Sequence, residues 1–490
     1  MKYKIITLIM VVVIAIGTFI FQYTKAPDYR YHQHIEEVEK EICKNHKSDE
    51  FCTHLPLFDI HTEKEIPNPF VVDENNVEIM ENYSKVANNE TVHANVRFIN
   101  SKLEPNHLKD EAEVEEKAQF RIRGNSSREF DKKNYLIKFT ENDYIKKKNV
   151  PLDSMQADST WILHGPFLDK TMIRNYMCNN IVAEITGYAP NVRLCELFLN
   201  DEYQGVYLLS EKINRTRLNL SKTDPKDINT SFILSFNNGR VDESHKLFTF
   251  ADDSGKRGVS YRSNEKLEID YPSTTLTEAQ HFQIQHEIST FEKILTNKKP
   301  NKKYREFIDM DSFVDYYVLS EFFMNLDAGK KSTYIVKDVR GKMQLVGWDY
   351  NNTFNNYFND LSKPQKFCVN STWTDYLLKD PYFVERVNKR YRQLRKTYLS
   401  DEYLLNYIDD TLKFLGPAID RNNEKWGYSY TEEFIKNPNH KFQVLQPLHR
   451  NPESFQEAVE QMKKAIVERG KFLDENIETL YSKTQARREE

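Results

Sequence analysis

The chain is short of several residues that would declare a class. It holds 14 glycines in 490 residues, which excludes collagen-like and glycine-rich flexible polymers. It holds five cysteines, with no CxxC pair and no zinc-type spacing, so a structural zinc site and a thioredoxin-like redox motif are both excluded. It carries no large excess of charge of either sign: the net charge is −5, and nothing in it suggests a nucleic-acid partner. Internal repeats are absent. Long apolar runs are absent too, except for one at the very start.

That one runs from Ile5 to Phe21 behind Lys2 and Lys4. It is longer than a usual signal core and barely long enough to span a bilayer. Residues 1–25 are therefore expected to be an uncleaved membrane anchor, with a cleavable signal as the alternative. Either way the lysines stay inside and the body is exported, anchored or secreted. In an oxidising compartment Cys43 and Cys52, set across a short polar gap, are the expected disulfide. Cys178, Cys195 and Cys368 sit in apolar or aromatic surroundings and read as buried thiols.

What is abundant is apolar and aromatic. Hydrophobic residues make up 39% and aromatics 13%, with 28 Tyr and 30 Phe, enough for a substantial core. Residues 26–54 are charged and helical in pattern, a stalk or cap. From 55 to 213 the chain reads as short strands with polar turns: 76–80, 93–98, 117–123, 135–139, then a hairpin over 192–209 with an Asn/Asp/Gly turn. One helix interrupts them, expected over 170–186 with Asp169 as its N-cap and Gly187 as its stop. Residues 214–303 are a less regular connection with strands near 232–236 and 266–270 and a helix over 276–296. Residues 304–482 are mostly helical, and 483–490 form a charged tail. The fold class is α+β, with a β-rich first half and an α-rich second half.

Within the second half, residues 311–356 carry the densest chemistry. Phe313 to Leu326 is apolar on all faces and reads as a buried helix, with Asp311 as its N-cap. Glu321 in its middle needs a partner, because a buried carboxylate is costly alone. Asp327 closes the helix. A hairpin follows, with its turn at Val339–Lys342. If that turn centres on Arg340, Asp349 lies opposite Lys331, and Asp327 and Asp349 converge at the open end, with Asn351 and Asn352 just beyond. Two carboxylates and an amide suit a hard cation that also holds phosphate. The plainer reading is two loop-end aspartates capping local backbone.

Upstream, Arg123-Gly124-Asn125-Ser126-Ser127 makes a turn whose backbone amides suit phosphate oxygens. An ordinary polar hairpin is the alternative. His164 reads as structural. The run Lys146–Lys148 and the arginines 386, 390, 392 and 395 read as solvated surface; the arginines could instead bind an acidic substrate segment.

Four stretches together resemble the CotH kinase family, atypical protein kinases of the spore-coat type. They are RGNSS…KKxYxIKF over 123–139, WxLxGxxxDxTxxRN over 161–175, ELxLNxxYxGVYxLxEKI over 196–213, and NxD followed by a hairpin and WDxN over 325–351. The resemblance covers about 55 to 426. It implies a two-lobed, kinase-like fold and an exported ATP-dependent kinase that phosphorylates Ser/Thr-rich segments of protein substrates, with Mg²⁺ or Mn²⁺ as cofactor. It implies a glycine-loop role for Arg123, Gly124, Asn125 and Ser126. A phosphate-contacting lysine is implied among Lys132, Lys133 and Lys138, with Lys138 favoured. Glu211 becomes a hinge or nucleotide-site residue, and Asp349 a metal ligand with Asn351 as second ligand. Asp327 becomes the base or a further metal-site carboxylate, and Glu321 the anchor of the loop from behind. The chain departs from the usual kinase loop at Ser332, where an amide ligand is common. The rival class is a non-catalytic surface or coat binding protein with the same fold. A metal-dependent hydrolase lacks an evident water-activating base.

Overall fold

The computed structural model describes residues 30–37, 40, 51–67, 89–124, 126–237, 244–248, 266–297 and 302–485. The apolar segment 5–21, the strand expected at 76–80, Cys43, Asn125 and residues 486–490 lie outside the described residues. Among the described residues no helix is long and apolar enough to cross a membrane. Cys52 is disulfide-bonded, and Cys178, Cys195 and Cys368 are buried free thiols.

The first body is a closed barrel of β1 (Leu57–Thr62), β2 (Val92–Ile99), β3 (Val114–Arg123), β4 (Asn134–Phe139), β5 (Thr160–His164), β6 (Val192–Leu199) and β7 (Glu202–Glu211), in the order β1-β2-β3-β4-β5-β7-β6. Short strands with polar turns suggest an antiparallel sheet, and the structure closes it. Closure comes from β1, which pairs antiparallel with β2 but parallel with β6, Leu57 opposite Glu196. That removes both free edges. Alternation drives it: β2 buries Val92, Ala94, Val96 and Phe98 and turns His93, Asn95 and Arg97 outward. Phe58, Phe120, Ile137 and Trp161 fill the interior with no exposed surface. Each such side chain is worth about 1.5–3 kcal/mol.

Helix α1 (Arg174–Thr186) crosses between β5 and β6. It starts later than its apolar pattern suggests because Met172 takes φ 65°, which an α-helix cannot hold. Asp169 still feeds the entry, accepting from Thr171 N and Arg174 N. Gly187 closes the helix at φ 80°. On its outer side lies the segment expected to be a stalk. Arg30 donates to Asn180, Asn191 and the carbonyls of Ala189 and Pro190, and the Gln33 amide pairs with the backbone of Leu194.

The second body joins a sheet to helices. Its sheet runs β9-β10-β8-β11-β12, made of β8 (Phe232–Asn237), β9 (Lys246–Leu247), β10 (Lys266–Tyr271), β11 (Thr333–Lys337) and β12 (Gln344–Gly347). The region read as an irregular connection thus supplies three strands to the hairpin's own sheet. Helix α2 (Glu278–Leu295) opens with a Thr277/Gln280 capping box. Helix α3 (Met310–Phe322) is buried on nearly all sides, as its composition requires, but its N-cap is Asp309, whose carboxylate accepts from Asp311 N and Ser312 N. Helices α4 (Pro381–Leu394), α5 (Asp401–Leu415), α6 (Pro417–Trp426) and α7 (Phe455–Asn476) complete the core. The arginines along α4 are spent within the molecule: Arg386 pairs with Asp311, Arg390 with Asp315, Arg392 with Glu478, and Arg395 with Asp401 and Asp474.

Candidate active site

The hairpin keeps the register its length implies. Thr333 faces Gly347 and Trp348 N donates to Ser332 O, so the turn centres on Arg340 and Lys331 stands across from Asp349. Gly347 is required by close approach: a Cβ there would lie 2.1 Å from the Tyr350 hydroxyl. Asp349 follows at φ 61°, a conformation that costs energy for a non-glycine residue and turns its side chain off the strand.

Asp327 does not end α3. That helix stops at Phe322, Met324 turns the chain at φ 58°, and buried Asn325 accepts from Asp327 N at 3.1 Å. Asp327 O then accepts from Lys330 N and Lys331 N. The Asp327 carboxylate has only long contacts, from Asn352 Nδ2 at 3.4 Å and Tyr357 Oη at 3.3 Å. The Asp349 carboxylate accepts from Asn351 N at 3.3 Å and Asn351 Nδ2 at 2.9 Å. Burial pushes Asp349 above the ordinary carboxylate range; the backbone bond from Asn351 opposes this, the nearby charge of Asp327 adds to it, and Arg123 again opposes. Two carboxylates thus face one space with too little positive charge between them.

Helix α1 holds this floor. Asn175 Oδ1 accepts from Tyr350 N at 2.5 Å, Asn175 Nδ2 donates to Asn351 Oδ1 at 2.8 Å, and Arg174 Nε donates to Thr353 O. The amide oxygen of Asn351 is therefore occupied, and its NH₂ faces Asp349. In this arrangement Asn351 is a brace for Asp349, and the amide beside Asp327 is Asn352.

The roof is the outer face of β3. Phe120 and Ile122 point into the barrel, so Arg121 and Arg123 point out of it. Arg123 lies over the Trp348 ring at 5.8 Å. Gly124 takes φ 114°, and a Cβ there would meet Ser127 Oγ at 2.2 Å, which explains the glycine. Arg128 Nε donates to Gly124 O at 2.6 Å and closes the turn. Arg121 is pushed down to about 10, first by burial and then by the charges of Arg128 and Arg123. Three guanidiniums thus crowd together on the side opposite the carboxylates. His164 is pushed down to about 3 by burial and then by Arg123, and stays neutral. It packs against Trp348 and has no charge to contribute.

Between roof and floor lies a cavity of about 600 Å³, within the range of small-molecule and cofactor sites. It brings together Arg123, Gly124, Ser126, Asp327, Asn351 and Asp349. It also takes in Lys331, opposite Asp349, and residues that sequence reasoning passed over: Arg121, Arg128, Ser235 and Asp270. Arg121 could have been found, since it shares the parity of Arg123 on one strand. Ser235 and Asp270 could not, because nothing local ties their strands to the hairpin.

Five expected residues lie away from the cavity. Lys138 shares the outward face of its strand but donates to Gln119 on β3 at 3.2 Å. Lys132 is buried, bonded to Val206 O and Asn422 Oδ1, and ties the barrel to α6. Lys133 bonds Arg128 O. Glu211, 2% exposed, pairs with Arg217 at 2.8 Å and accepts from Asn191. Glu321 is also remote. It accepts from Cys368 N and Val369 N and pairs with Arg469 of α7, so it anchors the segment behind α3, as a buried carboxylate must.

The donor set fits a hard cation at the mouth: the Asp327 and Asp349 carboxylates, short of positive charge, with the Asn352 amide adjacent. Among the described residues no group of three or more His, Cys, Asp or Glu side chains is gathered as a metal centre, so the mouth offers two carboxylates and amides rather than a fuller cluster. A model of the CotH kinase protein family matches residues 120–473. The chain belongs to the CotH kinase family. The matched stretch opens one residue before Arg121 and closes at the end of α7, so the CotH kinase region includes the roof, the floor and the Glu321–Arg469 anchor, and leaves out β1 and β2. A comparison with curated proteins returned no match.

Proposed function

We propose that the protein is an ATP-dependent kinase that transfers the γ-phosphate to Ser/Thr hydroxyls of protein substrates, with the barrel and the helical body acting as the two lobes around its nucleotide. The observation that carries this reading is the polarity of the cavity: crowded guanidiniums from the β3 turn above, two under-neutralised carboxylates below. A polyanion bound with a cation satisfies both walls at once, and phosphoryl transfer needs little beyond positioning and charge neutralisation. Mg²⁺ or Mn²⁺, when bound, would shield phosphate charge at the Asp349 and Asp327 carboxylates. Arg123 and the Gly124–Ser126 turn hold the phosphates. Asn175 and Asn351 keep Asp349 in its strained conformation. Asp327, held only by long contacts, orients the acceptor hydroxyl and takes its proton as the new P–O bond forms and ADP leaves.

Export is part of the proposal, with the segment 5–21 as membrane anchor. The lysines before it and the disulfide at Cys52 support that reading. A second reading, a binding protein without turnover, draws on one feature: none of Lys132, Lys133 and Lys138 reaches the cavity. Full-length protein incubated with γ-labelled ATP, Mg²⁺ or Mn²⁺ and a Ser/Thr-rich peptide separates the two. Label on the peptide or on the protein itself is expected. Metal-dependent ATP binding with no transfer selects the binding protein, and absence of ATP binding overturns both.

A further inference from the structure

Besides Asp327 and Asp349 the cavity is lined by two more carboxylates: Asp169, which is paired with Arg174, and Asp270, which has no part in phosphate binding. Asp270 lies on β10, beside Ser235 of β8 and Tyr334 of β11, and all three line the cavity. The β8–β10 pairing slips at this point: Ile233 faces Tyr271 while Leu234 faces Ile269. Asp270 is therefore the extra residue of a β-bulge, left without a strand partner; such bulges re-aim a side chain. Its carboxylate takes a hydrogen bond from the Ser235 hydroxyl and attracts Lys212, at the end of β7.

The sheet orders the wall. Asp270 is on β10, Ser235 on β8 and Tyr334 on β11, and β12 runs into Trp348 and Asp349. Asp270 is thus separated by β8 and β11 from the strand that carries Asp349. A phosphate group would be repelled there. What the position suits is a neutral O–H or N–H donor attached to the anion that the rest of the cavity holds.

Resting on the kinase reading above, we infer that Asp270 is the nucleoside-recognising residue of the site, accepting a hydrogen bond from a ribose hydroxyl or from the exocyclic amine of the base. Its bulge sets the carboxylate toward the nucleoside, while Arg123 and the carboxylate pair define the phosphate end.

The test measures dissociation constants with Mg²⁺ for ATP, 2′-deoxy-ATP, 3′-deoxy-ATP, purine riboside triphosphate and inorganic triphosphate, in the wild type, Asp270→Ala and Asp270→Asn. Melting temperatures are taken alongside. The wild type should bind ATP about ten-fold more tightly than the analogue lacking the recognised donor, the scale of a lost hydrogen bond to a charged group. That analogue identifies ribose or amine. Asp270→Ala should weaken ATP about ten-fold and erase the preference, while inorganic triphosphate and melting temperature stay unchanged. Asp270→Asn should fall between. Unaltered ATP affinity and preference in Asp270→Ala overturns the assignment alone, as does an equal loss of inorganic triphosphate. A wild type that binds neither ATP nor inorganic triphosphate overturns the kinase reading and this inference with it.

Discussion

Glu321 and Asp349 are carboxylates of the same body, set within one stretch of chain, and their surroundings are opposite. Glu321 is 1% exposed and fully satisfied: two backbone N–H groups and the guanidinium of Arg469, itself wholly buried, meet it. Asp349 faces a cavity, is held at a positive φ, and has another carboxylate as neighbour. Saturated partners mark a group that holds the fold. A group kept short of opposite charge, at a cost in backbone strain, marks a place for something else to bind. The lysines repeat the lesson: Lys132 is saturated and joins the barrel to α6, whereas the arginines of β3 repel one another.

The contrast can be broken first at Glu321. Glu321→Ala strands Arg469 in the core and should destabilise the protein by about 3–5 kcal/mol, read by chemical denaturation. Turnover per folded molecule should change far less than stability. A stable but inactive mutant would move Glu321 to the other side of the comparison.

Asp349→Asn should do the reverse. Phosphotransfer is expected to fall about a hundred-fold to a thousand-fold, the size of one lost electrostatic contact at the transition state. Stability should hold, and its pH dependence has a sign. The folded-state pKa of Asp349 is raised, so the ionised carboxylate costs stability at neutral pH, and that cost is relieved as pH falls through the folded pKa. The mutant should therefore melt at or above the wild type at pH 7, and the gap should close on acidification. A gap that widens on acidification contradicts the burial argument.

Arg123→Ala and Lys138→Ala sharpen the roof. Loss of Arg123 should cost about ten-fold to a hundred-fold in ATP affinity, as for hydrogen bonds to charged groups. Lys138→Ala should leave ATP affinity within about two-fold, since its contact with Gln119 lies outside the cavity. Equal losses would mean that Lys138 leaves Gln119 when nucleotide binds. The smallest effect is at the cap: Asp309→Ala should cost about 1 kcal/mol and leave turnover unchanged, while Asp311→Ala, which removes only a surface pairing, should cost less.

Much of this was legible before any coordinates. The hairpin's register follows from its length, so Lys331 and Asp349 could be set opposite each other by counting. The need of Glu321 for a partner followed from its apolar helix. What was not legible is tertiary. Strand alternation sets Lys138 and Leu136 on one face of β4, but only the packed structure shows that Arg121 and Arg123 line the cavity while Lys138 meets Gln119. β8 and β10 join the hairpin across long stretches of chain, so Ser235 and Asp270 carried no local signal. Asp309 and Asp311 both fit a cap by composition, and the two stand two residues apart in the helix phase. Arg30 reads as an exposed charge until α1 and the β6 edge are placed around it.

In the function proposed above, Asp327 and Asp349 face a cavity made for a nucleotide bound with a divalent cation. The most direct measurement is the shift in melting temperature of the full-length protein on adding ATP, taken with Mg²⁺, with a chelator in its place, and repeated on Asp349→Asn. Stabilisation of the wild type is expected with Mg²⁺, little without it because the carboxylate pair repels free phosphate, and a much reduced shift in the mutant. Stabilisation that is the same with the chelator, or undiminished in Asp349→Asn, would contradict that function.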